Sequence, residues 1–247
     1  MRIYAVVLCA LAAVAQTSEP RPTISVSSVG KVSARADLGV VFLSTRTSAP
    51  LAADALEQNN KKVKEVQAKL SALGYTESQI HFSGNRFSPA GQGMYYAGGQ
   101  RPTGFDVYNN LYVYIEGADL KDLGALNAKL STLLDELSKL GATPASMPIS
   151  SASMGGSSVV AFTVKAPAAY ERQAFQQALD KARPIADDIA QRMKVQITGI
   201  EGVNSSPIAR PTSGFPTPLD EIPYEYFSSS IEDVPIRVNI SVRYTYK

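Results

Sequence analysis

Cysteine and histidine are almost absent from this sequence, and their scarcity excludes several kinds of site. Cys9 is the only cysteine and His81 the only histidine. A disulfide needs two cysteines, and zinc sites commonly need several Cys, His or carboxylate ligands. No HExxH, GxSxG or CxxC motif accompanies His81, so this histidine is interpreted as a surface or hydrogen-bonded structural residue. We therefore predict no metal ion, no cofactor and no catalytic residue.

A strong excess of charge of either sign is also lacking. The chain has 24 Lys and Arg residues against 22 Asp and Glu residues, without a block of like charge. Nucleic-acid grooves and patches that bind anionic lipids need clustered basic residues, so neither partner is expected. Beyond the N-terminus no apolar run approaches the roughly 20 residues that cross a bilayer. No integral membrane segment is therefore predicted in the mature chain.

The N-terminus has the composition of an export signal. Arg2 provides a positive charge, residues 3–11 are apolar, and an A-x-A cleavage motif occupies residues 13–15. These features predict a signal peptide over residues 1–15, and its removal also removes Cys9. The expected location is the periplasm, with secretion or association with the outer membrane as alternatives.

Apolar and polar residues alternate along several segments, which is typical of half-buried β-strands. Strands are predicted over residues 24–35, 38–43, 80–88, 104–116, 159–165, 195–203 and 235–247. Residues 38–43 are apolar toward both faces, so this strand is expected to be fully buried. The last strand is expected to pair antiparallel with a strand far back in the sequence.

Three segments have the helical period instead. They are residues 51–73, 119–140 and 168–193. Gly74 and Gly141 follow the first two, where a left-handed residue often ends a helix, and Asp119 is expected to cap the second. Pro184 is expected to kink or break the third, because proline cannot donate the backbone hydrogen bond. The inward side chains of the third helix are predicted to be Phe175, Ala178, Ala182, Ile185 and Ile189.

The order of these elements predicts the fold class. Helices follow strand pairs, in an order of roughly ββαββαβαββ, which indicates an α+β protein with antiparallel or mixed sheets and three amphipathic helices. Residues 22–247 are predicted to form one domain or two lobes. The lobes would be residues 22–117 with the C-terminal strand 235–247, and residues 118–203. Residues 204–233 are rich in proline and serine and predict an irregular connection.

Acidic residues occur at two places that could suggest chemistry. Asp37 lies at a strand junction between Ala36 and Leu38, where aspartate commonly bonds nearby backbone, so a turn or bulge is predicted. Asp180, Arg183, Asp187 and Asp188 lie on the third helix. Their spacing predicts an exposed row of ion pairs rather than a metal site.

Aromatic residues are the candidates for an interface. Met94, Tyr95 and Tyr96 lie in the glycine-rich stretch GQGMYYAGGQ, which predicts either a flexible hairpin tip or a contact surface. Tyr108, Tyr112 and Tyr114 share one face of the strand GFDVYNNLYVYIE, whose other face is apolar. Either a helix of the same chain or a second subunit is expected to cover them.

The order and spacing of these elements resemble the SIMPL-domain family, a group of exported bacterial proteins that includes periplasmic immunogenic antigens. The resemblance runs through ISVSSVGKVSARADLGVVF, GFDVYNNLYVYIEGADL, ALDKARPIADDIAQRM followed by GIEGV, and IRVNISVRYTY. Ser28 departs from the usual first glycine of a G-x-G, Pro184 stands where a helix former is usual, and Lys194 where a glycine is usual. The resemblance implies an envelope protein of unknown function, with links to envelope or oxidative-stress tolerance and a tendency to self-associate.

Taken together, the residues and the resemblance predict a non-enzymatic periplasmic protein that acts through self-association or partner binding. A homo-oligomer is therefore expected. The first alternative is a hydrolase whose carboxylates are brought together by the fold. The second alternative is a protein associated with the outer membrane, suggested by the alternating, tyrosine-rich C-terminal strand.

Overall fold

The computed structural model describes residues 22–90, 104–145, 147–148, 157–205, 222 and 224–247. The predicted signal peptide lies outside these residues, as does most of the predicted irregular connection. The helices are α1 Ala52–Ala72, α2 Leu123–Lys139 and α3 Ala168–Met193. The strands are β1 Thr23–Ala34, β2 Leu38–Ala49, β3 Ile80–Pro89, β4 Phe105–Glu116, β5 Ala142–Pro144, β6 Met147–Pro148, β7 Ser157–Ser158, β8 Val160–Thr163, β9 Ile197–Ser205 and β10 Val234–Tyr246. All pairings are antiparallel among the described strands, which confirms the α+β class.

The first sheet joins the two ends of the described chain. Its strand order is β1-β10-β9, and β10 runs antiparallel to β1 along its whole length, from Thr23 opposite Thr245 to Ala34 opposite Val234. This confirms the predicted pairing of the closing strand with a distant one. The inward residues of β10 are buried against α3, as the alternation predicts.

Helix α3 approaches this sheet through alanine. Ala174, Ala178, Ala182, Ala186 and Ala190 are all buried. The prediction that Ile185 faces inward is wrong, because its side chain is 46% exposed. The close fit at Gly30 explains the error: a Cβ there would lie 1.7 Å from the carbonyl oxygen of Ala174. Larger side chains of α3 therefore lie beside the row of alanines, where Phe175 and Ile189 are partly buried.

The two unusual residues of α3 are accommodated in different ways. The helix continues through Pro184, so of the two predicted outcomes the break is wrong and the kink stays a prediction. Pro184 lies on the exposed side of the helix. Lys194 ends the helix in the left-handed conformation, with φ of 56°. This is the conformation that glycine usually adopts at the end of a helix, and here a lysine adopts it.

The second sheet has the order β3-β4-β2-β5, with β8 also paired to β2. Val40, Val41, Phe42 and Leu43 of β2 are all buried, which confirms the expected two-sided burial. Helices α1 and α2 contribute to the same core. Their buried side chains there are Val66, Leu70, Leu126, Leu133 and Leu137.

Helix α2 begins later than predicted. Asp122 is its N-cap, and its Oδ1 accepts hydrogen bonds from the backbone N–H groups of Gly124 at 2.8 Å and Ala125 at 3.2 Å. The predicted cap, Asp119, lies in the short 3₁₀ helix Gly117–Leu120 that precedes α2. The carboxylate of Asp119 instead pairs with Lys129.

Strands that are neighbours in the chain enter different sheets. Strand β1 pairs with β10, whereas β2, which follows it directly, enters the second sheet. Residues 224–231 connect the core of the second sheet to α3. Tyr226, Phe227 and Ile231 are buried in that core, and the Tyr226 hydroxyl donates to Glu171 of α3 at 3.0 Å. Within the described residues, no helix combines the length and the apolar composition needed to cross a membrane.

Candidate functional site

Charged and polar side chains meet on one face of the second sheet, at the start of β4. The strand register places Arg46 of β2 opposite Tyr108 of β4, and Ser48 opposite Asp106. On the other side of β4, Arg86 of β3 is also opposite Tyr108. We call Arg46, Ser48, Asp106 and Tyr108 the Asp106 cluster.

Asp106 is the buried centre of this cluster. Its side chain is 3% exposed and accepts a hydrogen bond from Arg46 Nη2 at 2.8 Å. The Tyr108 hydroxyl donates to the same carboxylate at 3.3 Å, and Ser48 Oγ donates to its other oxygen. The Arg46 guanidinium also lies over the Tyr108 ring, 5.3 Å from its centroid.

The donors around Asp106 determine its charge. Burial alone raises the pKa of a carboxyl group, but the hydrogen bonds from Ser48 and Arg46 and the positive charge of Arg46 together leave the pKa of Asp106 lowered. The same hydrogen bond raises the pKa of Arg46. Both groups are therefore ionised at neutral pH. A general acid or base works best with a pKa near the operating pH, so this carboxylate is poorly suited to proton transfer.

A cavity of about 260 Å³ adjoins the cluster. Its lining residues are Ser83, Gly84, Arg86, Tyr108 and Asn110. A bulge in β3 shapes it: the register passes from Phe82 opposite Leu111 to Asn85 opposite Asn109, which leaves two residues of β3 opposite one of β4. Gly84 permits this with φ of 84°, and Ser83 Oγ accepts from the Asn110 backbone N–H at 3.3 Å. The cavity offers donors for binding, from a guanidinium, a hydroxyl and an amide.

The predicted interface residues separate in the structure. Tyr108 is partly exposed within the Asp106 cluster, whereas Tyr112 and Tyr114 are buried by the chain itself. Phe42 makes an edge-to-face contact with Tyr112, and His81 stacks obliquely on Tyr114. Met94, Tyr95 and Tyr96 lie outside the described residues, so their role as contact residues stays a prediction.

Asp37 has a structural role, as the sequence predicts. Its Oδ1 accepts from the Lys165 backbone N–H at 2.8 Å, and its own N–H donates to the Thr163 carbonyl at 3.2 Å. The carboxylate thus attaches the link between β1 and β2 to the end of β8. His81 likewise bonds backbone, with Nε2 at 2.9 Å from the carbonyl oxygen of Ser78.

The acidic row of α3 forms ion pairs on the surface. Arg183 pairs with Asp187 at 3.1 Å, and Arg192 pairs with Asp188 at 2.9 Å. Asp180 does not pair with Arg183 but accepts from the Gln176 amide at 2.9 Å. In the described part of the chain, no three His, Cys, Asp or Glu side chains form a group that could hold a metal ion.

The outer edge of β9 is a second surface, which the sequence did not reveal. Among the described residues β9 pairs only with β10, and its Ile200 side chain is 55% exposed. The opposite edge of this sheet is protected: Lys181 Nζ donates to the Val29 carbonyl at 3.2 Å, and the Lys31 N–H donates to Gln177 Oε1 at 3.2 Å. Helix α3 therefore shields the β1 edge, whereas no side chain within the described ranges makes such a contact with the outer edge of β9.

The sequence also missed Arg46 and Asp106 as partners. Both were visible only as polar positions on alternating strands, in the stretches TRTS and FDVYNN. Strand alternation shows which face a side chain occupies, but not which residue lies across from it. Their proximity follows from the register between β2 and β4, which joins residues 60 positions apart in the chain.

These features define an α+β protein whose two main antiparallel sheets each pack against amphipathic helices. The chain belongs to the SIMPL family, described as protein of unknown function (DUF541), whose profile matches residues 24–246. The match covers nearly the whole chain and confirms the resemblance drawn from the order and spacing of its elements. A comparison with curated proteins found no match.

Proposed function

We propose that this protein is a non-enzymatic protein of the cell envelope that acts by associating with further copies of itself. The observation that carries the proposal is the outer edge of β9. Its backbone groups have no partner strand among the described residues, and it presents Ile200 and Val203 as exposed apolar side chains. An exposed strand edge of this kind is a template for pairing with another chain.

The composition of β9 favours a second copy of this chain as the partner. Edge strands of monomers usually carry lysine, proline, inward charges or β-bulges that oppose pairing. Strand β9 has no lysine, proline or inward charge, although its register against β10 shifts twice, between Arg243 and Tyr244 and between Thr245 and Tyr246. Its only charged residue, Glu201, pairs with Arg243 of β10 at 3.2 Å. Two such edges can pair antiparallel about a two-fold axis and would extend the first sheet across two subunits.

The Asp106 cluster supports the non-enzymatic part of the proposal. A hydrolase based on carboxylates needs an acid or base whose pKa lies near the operating pH. Asp106 has a lowered pKa, and three side-chain donors already occupy it. Arg46 and Tyr108 at its rim are better suited to contacts with another molecule.

The location and the cellular role rest on the sequence. The predicted signal peptide and the SIMPL resemblance support export to the periplasm and a role in envelope or oxidative-stress tolerance. Fractionation of cells that produce the full chain tests the location. We expect the soluble periplasmic extract to contain a protein that begins at Gln16. A full-length cytoplasmic product would contradict export.

Light scattering after size-exclusion chromatography tests self-association directly. We expect the mature protein to have a mass of at least two chains at micromolar concentration and to shift toward one chain on dilution. A single-chain mass throughout the micromolar range would overturn the proposed function.

A further inference from the structure

The cavity beside the Asp106 cluster has an excess of positive charge. Arg46 of β2 and Arg86 of β3 lie opposite Tyr108 from its two sides. Asp106 neutralises Arg46 through their ion pair at 2.8 Å. Arg86 forms no ion pair among the described residues, and none of the described residues that line the cavity is acidic. One guanidinium without a counter-charge therefore borders the cavity.

Ser83 and Asn110 provide further hydrogen-bond donors. Ser83 Oγ accepts from the Asn110 backbone N–H at 3.3 Å, so the hydroxyl hydrogen of Ser83 remains available to a ligand. Asn110 lies two residues from Tyr108 on the same strand and therefore on the same face, and its amide carries two N–H groups. Both residues are partly exposed and line the cavity, so a molecule in the cavity can reach them.

The bulge in β3 leaves room for the body of a ligand. A Cβ added at Gly84 would have no atom within 4 Å, so the cavity is open above this residue. Its volume of about 260 Å³ exceeds that of an apolar cavity of about 150 Å³ that holds benzene. The partly exposed Tyr108 forms an aromatic wall. The cavity thus combines three kinds of donor, one uncompensated positive charge and space for one ring.

We propose that this cavity binds a small aromatic monocarboxylate, whose carboxylate accepts hydrogen bonds from Arg86, Ser83 and Asn110. A guanidinium presents paired N–H groups that match the two oxygens of a carboxylate. A dianion is disfavoured, because the Asp106 carboxylate lies 3.3 Å from the Tyr108 hydroxyl and repels a second negative charge. This binding activity does not depend on the proposed self-association, which uses the other sheet.

Three probes test the proposal with the mature protein at low ionic strength, where salt screens the charge of a partly exposed site least. Benzoate carries the carboxylate, benzamide has nearly the same shape without the charge, and inorganic phosphate carries more charge without the ring. Titrations followed by protein NMR should show benzoate at the lining residues, bound at least tenfold tighter than benzamide, the size expected of charged hydrogen bonds. Equal affinities of benzoate and benzamide, no binding of benzoate, or tighter binding of phosphate would overturn the proposal.

The variant Arg86→Gln separates the charge from the shape of the cavity. It should abolish the preference for benzoate and leave the affinity for benzamide unchanged. The matched control Arg172→Gln removes the same charge from an exposed position of α3 and should leave the preference intact. A preference that survives Arg86→Gln, or that is lost equally in the control, would contradict the assignment of Arg86.

The variant Ser83→Ala tests the second donor. It should weaken the binding of benzoate about threefold to tenfold, as expected for the loss of one hydrogen bond, and retain part of the preference over benzamide. Ser25→Ala removes a hydroxyl from an exposed position of β1 and should have no effect. An unchanged affinity of Ser83→Ala for benzoate would contradict the role of Ser83 as a donor.

Discussion

Asp106 keeps its charge inside the protein because donors from two strands surround it. Arg46 and Ser48 reach it from β2, and Tyr108 reaches it from its own strand. Hydrogen bonds to an ionised group are stronger than those between neutral groups. The single residue Asp106 therefore couples the charge state of the cluster to the stability of the β2–β4 pairing.

Asp106→Asn should lower the free energy of unfolding at neutral pH by about 2 kcal/mol, because it removes charged hydrogen bonds in a buried place. The pKa of Asp106 is lowered by folding. Its contribution is thus present above the ordinary aspartate pKa and is lost as pH falls through the folded-state value. Urea unfolding at pH 7 and at acid pH below about 4 should show the difference between parent and variant shrinking.

Asp233→Asn is the matched control, because this carboxylate is exposed. Its effect should stay within about 0.5 kcal/mol at both pH values. A difference between parent and Asp106→Asn that does not change with pH would show that the charge of Asp106 is not what stabilises the cluster.

The backbone of Lys194 is strained. Among the described residues it is the only one other than glycine with a positive φ, 56°. The left-handed conformation costs a residue with a Cβ roughly 1–2 kcal/mol relative to the right-handed one. The resemblance to the SIMPL family predicts glycine at this helix exit, and the left-handed backbone conformation explains that preference.

Lys194→Gly should raise the free energy of unfolding by about 0.5–1 kcal/mol, because glycine adopts this conformation without the Cβ clash. Lys194→Ala keeps the Cβ and should give no such gain. Thermal and urea unfolding of the three proteins measure the effect. Equal stabilisation by alanine would mean that the lysine side chain, rather than the backbone, is the unfavourable element.

At the scale of elements, the contact between β1 and α3 depends on small residues on both sides. Gly30 faces the backbone of Ala174, and the helix presents alanines at intervals of four residues. The absence of larger side chains lets helix and sheet approach closely. Packing of this kind tolerates little added volume.

Gly30→Ala should destabilise the protein by about 3 kcal/mol or more, because the new methyl group meets a backbone carbonyl that cannot move alone. Gly202→Ala on β9 is the control, since its nearest contact would be the flexible Arg243 side chain at 3.8 Å. Urea unfolding compares the two. Similar small effects for both variants would show that α3 is not held as closely as described.

This contact also shows where element prediction from sequence fails. The helical period of residues 168–193 correctly predicts α3, but ranking its positions by hydrophobicity selects Ile185 for the interior. The sequence carries the true signal as the run of alanines from Ala174 to Ala190. Its meaning depends on Gly30, more than 100 residues away, so no local pattern could identify the buried face.

At the scale of the whole molecule, the proposed self-association depends on one edge of the first sheet. Ile200→Lys places a charge on the exposed edge of β9 and should shift the light-scattering mass toward a single chain, because charged edge strands oppose pairing. Ile185→Lys adds the same charge to an exposed site on α3 and should leave the mass unchanged. Equal effects of the two variants would place the association elsewhere on the surface.

Local chemistry in the sequence determined the elements of this protein. Alternation and helical periodicity predicted β1 to β4, β8 to β10, the three helices and the α+β class, but not the short strands β5 to β7. Gly74 and Gly141 predicted two helix exits. These patterns depend on residues close together in the chain. Only the tertiary structure decided that β1 and β2 enter different sheets, that Tyr112 and Tyr114 are buried, and that Arg46 meets Asp106. Strand register and close packing join distant residues, and local periodicity carries no information about such pairs.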